Sequence, residues 1–387
     1  MSDRPNIVFL LNDHQAYYRH GWDSGPKIQR PHFERLASEG VVFNRAYAAC
    51  PLCGPARRTM LTGLFPHNHG KLKNDTNHPF DRETYLDILA DGGYRNYYYG
   101  KWHAGPGTAY DHHCEGFSYP GYSNPYTKPE YHEYLKKRGL SPAAHLIERS
   151  FWPKELRPGF PSPMRVGKLY KCEMVQTTEH ASGDTITPKE THEAFFLANL
   201  ACDKLRELAS SKDGRPFALR VDFWGPHQPY FPSQEFADMY NPEDILEYGN
   251  FGDDLKNKPE IYRFELNIPL NEEGRLIVPN PLPWSEWQKV LARAYASITM
   301  NDAAVAITQD FTTWGKFKFD NTREGLETLL RRAKTEMVKS GCRGVMFDIE
   351  TGGHYWRNVA YFLDEQGIPF RFIKQFTLKR RREGKDH

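Results

Sequence analysis

The stretch PLCGPARRTMLTG, residues 51–63, sets Cys53, Pro55 and Arg57 at alternate positions. Pro55 suits the first turn of a helix and RTMLTG reads as its continuation, so the spacing predicts Cys53 at a helix N-terminus. Backbone N–H groups and the positive end of the helix dipole favour an anion there. One reading is therefore a nucleophile facing an anionic group, with Arg57 one turn further on to neutralise it. The other is a structural cysteine followed by two surface arginines, since free cysteines are among the most buried residues. Further polar residues gather at the ends of apolar runs: Asp13 and His14 after NIVFLL, Lys101 and His103 in GKWHAG, and His227 in WGPHQPYFP. Asn74 follows in HGKLKND. Each has a plainer alternative: a solvated lysine, a histidine capping a turn between prolines, a turn asparagine.

The elements that would position these groups alternate along the chain. NIVFLL is a continuous apolar run of the kind that a parallel strand buried on both faces needs, and it places Asp13 at the strand's C-terminal end. In open α/β sheets that edge is where ligands bind. RPHFERLASEG reads as a helix stopped by Gly40, and VVFNRAYA as a return to strand. TYLDILADGGY then RNYYYGKWHAG form a second helix–strand unit, and a helix around 189–210 followed by PFALRVDFWGPHQPY a third. Such alternation predicts an α/β fold, a mostly parallel sheet with helices on both faces. Residues 105–185 and 228–285, rich in Pro, Gly, Tyr and Trp, read as long excursions over the sheet edge. SEWQKVLARAYASITMND, 285–302, has helical apolar spacing.

Composition bounds the partners. The 387 residues carry 51 basic and 49 acidic side chains, a formal charge of +2, which leaves no electrostatic footprint for nucleic acid. No apolar stretch near the N-terminus is long enough for a signal peptide or a membrane span, so the expectation is a cytoplasmic protein with no membrane partner. Six cysteines at irregular spacing argue against a disulfide framework and fit a reducing compartment.

PLCGPARRTMLTG resembles the signature of the type I sulfatases of the alkaline phosphatase superfamily, whose core CxPxR is read by a maturation enzyme that oxidises the cysteine to formylglycine. Cys53, not Cys50, is the residue in register. The resemblance implies an alkaline-phosphatase-like fold and hydrolysis of a small-molecule sulfate ester, with phosphonate or phosphate monoesters as the alternative. It implies that the hydrated aldehyde attacks through one hydroxyl, while the other lets the covalent ester collapse without attack by water. GYRNYYYGKWHAG is similar to the family's second motif, so Lys101 and His103 carry over as oxyanion and leaving-group contacts. WGPHQPYFP looks like its PHxPxxxP segment, which carries over His227. Asn74 carries over as a substrate-binding residue and Arg57 as the brace of the modified residue. The implied cofactor is a divalent cation, Ca2+ first with Mg2+ or Mn2+ as alternatives, held by Asp13 with residue 53 and His14. Most arylsulfatases have a second aspartate where this chain has His14, and that departure points toward the choline sulfatase and phosphonate monoester hydrolase branch.

The resemblance covers residues 1–303 and lacks the family's second metal-binding segment. Residues 304–387 instead resemble part of a DEDD-type insertion-sequence transposase around ETGGHYW, Glu350 to Trp356, implying a small α/β, RNase H-like fragment. Its other acidic motifs are missing, and KRRRE reads equally as a solvated terminus. The sequence thus also admits an inactive truncated fusion product or a nucleic-acid-binding transposase remnant.

Overall fold

The computed structural model describes residues 4–15, 25–43, 46–74, 77–120, 125–150, 166–172, 181–254, 256–258 and 283–308, and strands at 345–347 and 370–372. The chain divides into two compact units, Met1–Leu36 with Ala49–Lys318, and Ala37–Ala48 with Phe319–His387.

In the first unit, four strands form one sheet: β1 (Ile7–Leu11), β2 (Arg95–Lys101), β3 (Cys114–Tyr119) and β7 (Phe217–Asp222). Their order is β1-β7-β2-β3 and every neighbouring pair is parallel. Side chains alternate across a strand, so β2 serves two cores. Tyr97 and Tyr99 enter one, with Phe117, Leu219 and Val221, under helices α5 (Glu193–Ser210) and α6 (Trp284–Thr308). Tyr98 enters the other, with Leu61 of α2 (Cys53–Thr62) and Leu86 of α3 (Tyr85–Asp91). Helices therefore cover both faces, as the alternating pattern requires.

Gly100 locks β2 against β7. Its φ is +114° and a Cβ there would lie 2.1 Å from the Asp222 carbonyl oxygen, so only glycine lets the two strand ends meet. Helix α1 (Pro31–Glu39) is joined to α6 by Asp302, whose carboxylate accepts from the His32 and Phe33 amides at 3.1 and 2.8 Å. These are N-terminal donors with no partner inside the helix, which makes Asp302 a cap supplied from a distant element.

Three expectations need correction. Residues 41–43 and 46–48 form no strand, and Val41, Val42 and Phe43 are exposed: strand propensity without a ladder partner does not make a strand. The segment 105–185 is more regular than its composition implies. It contributes β3, helix α4 (Pro129–Arg138) and an antiparallel sheet of β4 (Ala144–Ser150), β5 (Leu169–Lys171) and β6 (Ala181–Thr185) in the order β5-β4-β6. Helix α6 is also longer than the predicted 285–302 and runs to Thr308.

In the second unit, β8 (Val345–Phe347) and β9 (Phe370–Phe372) pair in parallel, at the two places where strands are expected. The helices expected around them, and Glu350, lie outside the described residues.

Candidate active site

Parallel strands bring their C-terminal ends to one edge, and that edge collects the polar groups. Asp13 lies just beyond β1, Lys101 ends β2, His103 follows it, Asp222 ends β7, and His227 stands on the loop after β7. Register makes this compact: Asp222 pairs with Leu11 on one side and Gly100 on the other. Helix α2 points its first residue, Cys53, at the same edge.

Arg57, one turn into α2 and fully buried, ties the strands together. It donates to the Asp222 carboxylate at 2.7 Å, to Asp13 at 3.3 Å and to the Lys101 carbonyl at 2.6 Å. Lys101 makes a buried ion pair with Asp13. Asp222 also accepts from Arg220 at 2.7 and 2.9 Å and from the Tyr98 hydroxyl at 2.7 Å. In this network three buried cations, Arg57, Lys101 and Arg220, face two carboxylates, which leaves one positive charge over for an anion.

The proton balance keeps that surplus fixed. Burial alone would raise the Asp13 carboxyl, but Arg57 and Lys101 outweigh it and hold it well below the usual carboxylate range. Burial alone would lower Arg57, and Asp13 and Asp222 outweigh it in turn. Burial, then Lys101 and Arg57, hold His103 down at about 3. Burial, then Lys101, hold His227 at about 4. Both imidazoles are neutral near pH 7. The His227 Nδ1 lies 2.7 Å from the Gln228 carbonyl oxygen. A carbonyl only accepts, so Nδ1 carries the proton and Nε2 is left as a proton acceptor.

Cys53 lies against the Asp13 carboxylate, and burial pushes its thiol up from the ordinary value. A nucleophilic cysteine needs the opposite shift. As a plain thiol, then, residue 53 is not activated. Beside it, the Gly54 amide donates to Asn74 Oδ1 at 2.9 Å, so Asn74 braces the first turn of α2. His14 and His103 have positive φ, +56° and +48°, backbone conformations that non-glycine residues adopt mainly at sites that need them.

The expected metal centre does not assemble. Among the described residues no group of three or more His, Cys, Asp or Glu is placed to hold an ion. Asp13 is already paired with two cations, and the exposed His14 ring is directed at Gln228 Oε1, 3.0 Å away. A calcium-like ion takes six to eight oxygens, several from carboxylates, and this donor set does not offer them.

Of the candidates named from the sequence, Asp13, Cys53, Arg57, Lys101, His103 and His227 lie at this edge, and Asn74 is joined to them through the Gly54 amide. Asp222, Arg220 and Tyr98 complete the network and were not among those candidates. The signal for the first two was present: FALRVD places two opposite charges two residues apart in an apolar strand, hence on one face.

Comparison with known proteins decides the family. The sulfatase family profile matches residues 5–306. The chain belongs to the sulfatase family. The chain is 27% identical over 277 residues to the uncharacterized sulfatase YidJ of Escherichia coli K12, covering 70% of this chain and 49% of that one. It is 24% identical to an arylsulfatase of Clostridium perfringens over 63% of this chain and 48% of that protein. The chain thus spans about half the length of these relatives. Its fold is similar to that of the phosphonate monoester hydrolase of Agrobacterium radiobacter, with a TM-score of 0.53 at 20% identity, covering 81% of this chain and 59% of that one. No helix among the described residues is long and apolar enough to cross a membrane.

Proposed function

We propose that this sulfatase hydrolyses small-molecule sulfate monoesters at residue 53, after a maturation enzyme has converted Cys53 to formylglycine. The observation that carries the reading is the buried Arg57–Asp13–Lys101 cluster beside residue 53, with a positive charge left over at the strand edge. The unactivated thiol supports it as well, because an aldehyde precursor has no need of a lowered pKa. The modified residue supplies, when formed, the hydroxyl nucleophile and the route by which the covalent ester decays.

The chain's own groups do the rest. Arg57 and Lys101 hold and neutralise the sulfo oxygens, in a buried setting where fixed charges act strongly. His227, protonated at Nδ1, offers Nε2 as the acceptor for the proton that the second hydroxyl of the modified residue loses as the covalent ester collapses. Lys101 and His103 face the leaving group, and Asn74 keeps the Gly54 amide and the first turn of α2 in place. The family generally uses a divalent cation, which would add further charge neutralisation, but Asp13 alone does not build its site. A phosphonate or phosphate monoester would meet the same cations.

The test is mass spectrometry of the peptide containing residue 53, from protein coexpressed with a maturation enzyme, together with turnover of 4-nitrophenyl sulfate and phenyl phosphonate esters. Aldehyde at residue 53 and sulfate ester cleavage that Cys53→Ala abolishes are expected. An unmodified thiol with no turnover overturns the proposal, and faster phosphonate cleavage transfers it to the alternative substrate class.

A further inference from the structure

Among the described residues, Glu193 is a buried acid near this edge that takes part neither in the proposed chemistry nor in the Arg57 network. It sits in the first turn of α5 with its side chain 3% exposed. A carboxylate that merely complements the helix dipole can do so from the surface, whereas burying one is costly. Its contacts lead out of the helix. Oε1 accepts from the Trp224 backbone amide at 3.0 Å and from the Tyr119 hydroxyl at 3.4 Å, and Oε2 has no partner among the described residues.

Trp224 is held at its other end too, where its indole Nε1 donates to the Gln228 carbonyl at 3.0 Å. Between these two anchors the ring lies over Lys101, with Nζ 3.9 Å from the ring centroid. The Lys101 ammonium is thus fixed by a carboxylate, Asp13, and by an aromatic face. In a desolvated place a cation over an indole is a strong contact, so a shifted ring would let the ammonium move. The same loop is packed tightly at Gly225, where a Cβ would come within 2.7 Å of Asn301 Oδ1.

We propose that Glu193 is a positioning residue: through the Trp224 amide it holds the indole over Lys101 and so fixes where that ammonium meets the substrate anion. This rests on the reading of Lys101 as an anion contact, and two separate measurements test the two parts. The first is the indole N–H spectrum of the full chain carrying 15N-labelled tryptophan, with the Trp224 signal among the eight tryptophans assigned by its loss in Trp224→Leu. Glu193→Ala should move that signal, and Glu193→Gln, which keeps an acceptor for the amide, should leave it in place. Glu193→Met serves where the alanine variant does not fold. The second is binding of inorganic sulfate. Glu193→Ala should weaken it about tenfold, Trp224→Leu similarly, and the double variant no further. An unmoved Trp224 signal, a glutamine variant as impaired as alanine, or additive losses overturn the proposal. Wild-type protein that binds no sulfate while Glu193→Ala still moves the Trp224 signal supports the positioning contact and sinks the anion reading of Lys101.

Discussion

Replacing Asp222 with leucine tests whether the buried charge cluster is a single coupled unit. The Asp222 carboxylate is wholly buried and takes four charge-assisted or hydroxyl hydrogen bonds, from Arg57, Arg220 twice and Tyr98, all between 2.7 and 2.9 Å. Its removal leaves the Arg220 guanidinium buried without its acid and Arg57 with Asp13 alone. Breaking one side of a buried ion pair costs about 3–5 kcal/mol, a large part of the roughly 5–15 kcal/mol that holds a typical protein folded. With an unfolding entropy of about 2.1 cal/mol/K per residue, a unit of roughly 300 residues would lose about 5–8 °C in Tm. The assay is thermal unfolding followed by far-UV circular dichroism, run on Asp222→Leu, Arg220→Met and the double variant. If the loss comes from a stranded guanidinium, Arg220→Met should restore part of the stability lost in Asp222→Leu, because the uncompensated charge is gone. Asp222→Asn, which keeps an acceptor for Tyr98 but no charge, should fall between wild type and leucine. A leucine variant within about 1 kcal/mol of wild type, or losses that simply add in the double variant, would refute the coupling.

Other consequences are quicker to check. Asp302→Ala should cost about 0.5–2 kcal/mol through loss of the cap on α1, with Asp302→Asn recovering most of it, as read by chemical denaturation. Gly100→Ala should fail to accumulate as soluble protein, since both its φ and the Asp222 carbonyl exclude a Cβ, while Gly139→Ala, with open space around it, should remain soluble despite its positive φ. Stability should also fall on acidification below about pH 6.5, the ordinary histidine value. Burial holds His145 well below that value and His192 at about 4, so the unfolded chain takes up protons in this window that the folded chain does not. Each such group removes at most about 1.4 kcal/mol per pH unit, and urea midpoints measured from pH 7 to 4.5 should be flatter for His145→Phe.

How far the sequence carried the fold depends on where the information lay. β1, β2 and β7 were legible because each is a dense apolar or aromatic run ending in polar residues, and α5 and α6 because their apolar residues recur at helical spacing. CEGFSY was not legible as β3: a short stretch holding Glu115 and Gly116 acquires strand character only from its pairing with β2. VVFNRAYA fails in the opposite sense, having the propensity without the ladder. At the site, residues 13, 53, 57, 101, 103 and 227 could be named from motifs. Glu193 and Trp224 could not, because what they do depends on a helix start and a loop 31 residues apart meeting a lysine that precedes both by more than ninety.

The strand order has a further consequence, for how the protein is made. β7 lies between β1 and β2, yet it is translated after both, and more than two hundred residues separate β1 from its only described partner in that sheet. Until Asp222 has left the ribosome, β1 and β2 each present an apolar, unpaired edge with nothing to close the gap. Contacts so distant in sequence form slowly, and exposed edges invite wrong partners. The carboxylate that joins the cations at the edge of the sheet thus also arrives at the end of the strand that completes it, so no earlier intermediate can hold the assembled charge cluster.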